Sequence, residues 1–162
     1  MLGERLMGLR NRTVNMVLVA ALVGSTVQAK PGSDWMLVSA DAPGADHVTI
    51  YIRKDSAQIR GGKLTAWALA TYDKPQHLHN GKLFQSWISL IVVDCSEKQS
   101  GYVSQSAYSG PDGTGTSMYN FQQKVAVTPL EFALPDTLGE KEIEMVCRMP
   151  IKQTPVEKNS MP

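Results

Sequence analysis

Neither sign of charge prevails in this chain: 16 basic residues stand against 15 acidic ones, a formal net charge of +1. That balance argues against nucleic acid as a partner, which calls for a basic face, and leaves no large field to steer a charged ligand. Catalytic signatures are missing too. Serines are plentiful, but none stands in a G-x-S-x-G elbow, so no nucleophile has a motif behind it. The run Y-S-G-P-D-G-T-G at 108–115 is glycine-rich, yet it lacks the lysine and hydroxyl pair of a phosphate-binding loop, and a sharp turn accounts for it. There is no internal repeat. Only two cysteines occur, Cys95 and Cys147, and neither sits in a metal-binding or nucleophile pattern.

Long apolar runs are scarce, and the one at the start has the makings of a signal peptide. Arg5, Arg10 and Arg12 form a positive start, residues 14–23 a short apolar core, and Val27-Gln28-Ala29 ends on the small residue a signal peptidase accepts. The rival reading is a membrane anchor, but the core falls short of the roughly 20 residues that span a bilayer. No cysteine follows it to carry a lipid. Residues 1–29 are therefore expected to be removed, residues 30–150 to form a single domain, and residues 151–162, polar and broken by proline, to be a disordered tail. Loss of Arg5, Arg10, Arg12 and Glu4 leaves 13 basic and 14 acidic residues. Export places Cys95 and Cys147 where thiols oxidise, and they are expected to pair.

The most apolar stretch after the signal is S-W-I-S-L-I-V-V-D-C, residues 86–95, read as the central strand. Alternation puts Trp87, Ile91, Val93 and Cys95 on one face and Ile88, Leu90 and Val92 on the other. A strand apolar on both faces is expected to be covered on both, by its own chain or by a second copy. Around it, residues 35–40 and 48–53 read as strands and 54–60 as a connection with Ile59 turned inward. Gly61-Gly62 marks a hairpin. The strand 63–72 carries a row of small residues, Ala66, Ala68 and Ala70, which suits a helix lying close over it. Further strands are expected at 101–108, with Val103 and Ala107 facing in, at 117–121 and at 125–127. Thr137 and Glu140 make a capping-box pattern opening a helix over 138–149, whose Ile143, Val146 and Cys147 share a side.

Candidate sites are few. The polar stretch 73–82, D-K-P-Q-H-L-H-N-G-K, reads as a long loop and the best place for ligand contacts, with Lys74, His77 and His79 as candidates. His77 and His79 with Asp73 offer at most three metal ligands, against the plainer reading of two solvated histidines. Trp35, Trp67 and Trp87 could make a stacking surface or simply part of the core.

The succession A-W-A-L-A-T-Y-D-K-P-Q at 66–76, D-C at 94–95, Y-S-G-P-D-G-T-G and V-C at 146–147, after an opening D-W-M-L-V-S at 34–39, resembles the surface-adhesin protein E family of Gram-negative bacteria. The resemblance covers roughly residues 34–148. It implies an α+β fold, mainly an antiparallel β-sheet with one C-terminal helix packed on it and bridged by the Cys95–Cys147 disulfide. It also implies no enzymatic activity, no cofactor, and adhesion to host matrix proteins such as vitronectin and laminin, with dimerisation through the sheet. Location would be the periplasm or the outer surface. Two rival functions stand beside it: a periplasmic accessory or inhibitor protein that holds another bacterial protein, and a small metal-dependent hydrolase built on His77, His79 and Asp73. One departure bears on the partner. Relatives often carry lysine and glutamate at the places of Ile88 and Val92, so the apolar face of Ile88, Leu90 and Val92 is expected to meet a second copy, or else the chain's own 122–135 segment.

Overall fold

Eight strands and one helix follow in chain order in the computed structural model, which describes residues 31–40 and 47–152. They are β1 (Trp35–Ala40), β2 (Val48–Arg53), β3 (Gln58–Arg60), β4 (Lys63–His77), β5 (Leu83–Asp94), β6 (Gln99–Tyr108), β7 (Ser117–Gln122), β8 (Glu131–Phe132) and α1 (Leu138–Arg148). All strand pairings are antiparallel, in the order β1-β2-β4-β5-β6-β7. Short β3 sits beside β4, and β8 beside the start of β6. The expected signal peptide and most of the expected tail lie outside the described residues. Of that tail, Ile151 and Lys152 are described, and the Lys152 N–H donates to the Ala57 carbonyl at 2.9 Å. No helix among the described residues is long and apolar enough to cross a membrane.

Register explains the alanine row. Ala66 pairs with Ile91, Ala68 with Ser89 and Ala70 with Trp87, so all six face the same way. Because Ala66 and Ala68 are small, α1 settles close: Ile143, Val146 and Met149 pack there with Ile52, Ile91 and Val93 to form the larger core. The helix starts at Thr137, whose Oγ1 accepts the Glu140 N–H at 3.3 Å. Glu140 Oε2 in turn accepts from the Asp136 N–H at 2.9 Å, one residue ahead of the cap. At the other end, Cys147 is bonded to Cys95, just past β5.

The second face of β5 is covered by its own chain. Leu90, Val92 and Val103 form a smaller core with Trp67, Val125 and Leu130 packed against it. The 123–130 segment lies so close that a Cβ at Gly101 would collide with the Pro129 carbonyl oxygen. Val103 reaches this face through a bulge, because β5–β6 pairing skips from Leu90↔Ser104 to Ile91↔Tyr102. Ile88 lies beneath the 111–113 turn; Gly113, at φ +76°, has room for no side chain, since a Cβ there would stand 2.5 Å from Ile88 Cδ1. Ser86, fully buried on this face, is satisfied by that turn: its hydroxyl donates to Gly110 O at 2.7 Å and accepts the Gly113 N–H at 2.9 Å.

Three local expectations are corrected. Residues 73–77 are strand, not loop: a register shift between Thr71 and Gln76 absorbs Pro75, and pairing resumes at Gln76↔Phe84. Residues 58–60 form β3 rather than part of a connection, and Ile59 is 47% exposed while Ala57 and Ser56 turn inward. Finally, Val125–Val127 is a 3₁₀ turn; its β-branched residues suggest a strand, but only Val125 packs against the small core.

Candidate functional site

The helix covers only part of its face of the sheet. Strand alternation carries that face onward through Tyr72 of β4, Trp87 of β5, Tyr102 and Gln105 of β6, and Tyr119 and Phe121 of β7, with Ala107↔Tyr119 and Gln105↔Phe121 in register. A row of rings crosses the strands here. Tyr72 meets Phe84 at 5.6 Å between centroids, Phe84 meets Trp87 at 5.0 Å, and Trp87 meets Tyr119 at 5.8 Å, all edge to face. Such contacts hold the rings in place beyond what their burial does. Tyr102, Tyr119 and Phe121 remain exposed to solvent.

Two hollows meet at Trp87 and Gln105. One, of about 470 Å³, lies over Phe84 and Tyr119 and is rimmed by His77 and His79. The other, of about 350 Å³, runs between α1 and the sheet, floored by Ala68, Ala70 and Ser89 and walled by Tyr72, Trp87 and Tyr102. Glu142 of α1 closes it. This carboxyl is buried (relative exposure 9%), and burial alone pushes its pKa up to about 7. Tyr102 is about half exposed as a whole (49%), but its hydroxyl end is desolvated, and that loss of water and, second, the Glu142 carboxyl push the phenol up to about 12. Among the described residues no basic side chain lines this cleft.

The sequence-based candidates separate. His77 and His79 are exposed on the rim of the first hollow, whereas Lys74 is exposed on β4 away from it. Asp73 is drawn elsewhere: its Oδ2 stands 2.9 Å from Nδ1 of His47, at an angle that makes no aligned hydrogen bond. Among the described residues no three His, Cys, Asp or Glu side chains converge to hold a metal. The tryptophans divide likewise, because Trp67 pairs with Leu90 and so faces away from Trp87. Leu90 and Val92 are buried under the chain's own segment, and a second copy would have to displace it to reach them. Glu142 escaped notice in the sequence. The signal was its spacing, four residues before Val146 and seven before Met149, on the stripe that faces the sheet.

The family profile described as surface-adhesin protein E matches residues 35–148. Among solved structures, the chain is similar to crystal form II of Haemophilus influenzae protein E, at 16% identity over 70% of this chain and 94% of that one, with a TM-score of 0.49. It is also similar to protein E from non-typeable Haemophilus influenzae, at 17% identity over 70% and 82% of the two chains, with a TM-score of 0.46. No curated protein sequence matches.

Proposed function

The chain belongs to the surface-adhesin protein E family, and from that premise we propose that it is an exported, non-catalytic binding protein that holds a protein partner against the aromatic face of its sheet. The family match carries this reading, since it spans every strand and the helix. The exposed rings add to it. Tyr119 lines one hollow and Tyr102 the other, with Phe121 paired to Gln105 where the two meet, and aromatic side chains on a rigid, partly desolvated surface are the residues that most often dominate protein contacts. The partner class that fits the family is a host extracellular-matrix protein such as vitronectin or laminin, met at the outer surface.

Access decides the matter first. On intact cells, an external protease that spares a periplasmic control is expected to digest the protein, and matrix-protein binding is then expected to fall at least tenfold in a Tyr119→Ala, Phe121→Ala double variant that stays folded at the assay temperature, its melting temperature lowered by no more than the lost Trp87–Tyr119 contact accounts for. Protection until the outer membrane is opened would remove host adhesion and favour a periplasmic partner held on the same face.

A further inference from the structure

We infer that the cleft between α1 and the sheet is a binding site for an alkylammonium group, occupied in the working complex by a lysine side chain of the protein partner. The source of that lysine rests on the partner-binding reading above; the site rests on its own geometry. At about 350 Å³ the cleft lies within the range of small-ligand pockets. Among the described residues its one carboxylic acid is Glu142, nine-tenths buried, and none of those residues holds its carboxyl by a hydrogen bond or an opposite charge. A carboxyl left in that condition is a group waiting for a counter-charge.

The lining selects the sign and shape of the guest. An anion would meet the Glu142 carboxyl with no basic residue to compensate. A neutral apolar guest would fill the space and leave the carboxyl unused. For an ammonium, by contrast, three aromatic rings, Tyr72, Trp87 and Tyr102, line the walls, and an aromatic ring attracts a cation that lies over its face. Oxygens of Glu142, Ser89 and Gln105 supply acceptors for its three N–H donors. A four-carbon stem suits the alanine floor, as lysine stems commonly lie along apolar surface while the charged head finds polar company. Arginine suits it less. Its planar fork has five donors and is best matched by bidentate partners, which a single carboxyl in a narrow cleft cannot all satisfy. Entry of the cation favours the ionised carboxyl, so a Glu142 proton is released to solvent as the guest binds.

The test titrates n-butylammonium into the full chain at pH 8, following the indole resonance of Trp87. A saturable shift is expected, weaker at pH 5, with no comparable shift from 1-butanol, its neutral analogue. Glu142→Gln, which keeps the shape and removes the charge, is expected to bind n-butylammonium at least tenfold more weakly while melting no lower than the parent. Equal binding of 1-butanol, undiminished affinity in Glu142→Gln, or no saturable shift would overturn the site. N-acetyl-lysine methylamide then tests the source: binding supports a protein lysine, and its exclusion while n-butylammonium binds would overturn that source and leave a free amine as guest. Failure of the partner-binding reading would show separately, in the protease-access and matrix-binding assays.

Discussion

Glu142 makes the fold's stability depend on pH in a defined direction. Its folded pKa of about 7 lies above the ordinary 4.5. Below pH 4.5 the carboxyl is neutral in both states and costs nothing. Between pH 4.5 and 7 the unfolded chain ionises while the native chain holds its proton, so stability falls as pH rises through that window. Above 7 the loss is complete, on the order of 3 kcal/mol. Among the described residues the other titratable groups lining the cleft are Tyr72 and Tyr102, and the Tyr102 phenol is pushed away from this range, up to about 12. Glu142→Gln is therefore expected to gain stability relative to the parent on going from pH 4.5 to 8. Thermal melts at both values check it, and parallel pH profiles for the two proteins would contradict it. The spacing that puts Glu142 on the inward stripe, four residues before Val146, is present in the sequence, but the apolar pattern named only Ile143, Val146 and Cys147 for that side. Its burial was not legible, because a charged residue type argues for solvent until the cleft beside it is known.

At the scale of elements, what alternation and residue size control could be read directly. The boundaries of β1 and β2 follow from pattern, and the helix over the alanine row follows from the need to cover small side chains. Whatever depended on a distant partner could not. The polar end of β4 becomes strand only because β5 pairs with it across a bulge, and β3 exists only because the Gly61-Gly62 turn folds it back on β4. Likewise, apolar residues on both faces of β5 announced two covers but not their source. The Cys95–Cys147 bridge joins two of the legible elements, across 52 residues of sequence. Chain-entropy reasoning assigns it roughly 4 kcal/mol of stability. Cys95 is exposed, so reductant can reach the bridge without unfolding. Reduction is expected to lower the melting temperature on the order of 10 °C, and an unchanged melt under reductant would contradict this.

For the molecule as a whole, the two faces of the sheet have different roles. One is closed by the chain itself, with Leu90 and Val92 under the 123–130 segment and Ile88 under the 111–113 turn. The other is part helix and part open aromatic surface. Introducing charge at Ile88 therefore strikes the fold rather than an assembly. Ile88→Lys is expected to cost about 2–4 kcal/mol of stability without changing the sedimentation coefficient of the folded protein. Unaltered stability together with a halved mass in sedimentation would instead place a second copy on that face.

The disulfide also shapes how the protein bears load. Its closed loop contains β6, β7, the 123–130 segment, β8 and most of α1, so the covers of both sheet faces belong to one covalent ring. Tension applied between the first and last residues of the domain passes from β5 through the two sulfurs to the end of the helix. The 52-residue loop is a bypass, and roughly 180 Å of potential chain extension stays out of the line of force. A domain that grips a partner under shear would thus yield first at its β1 side, while the aromatic surface carried by β6 and β7 stays slack.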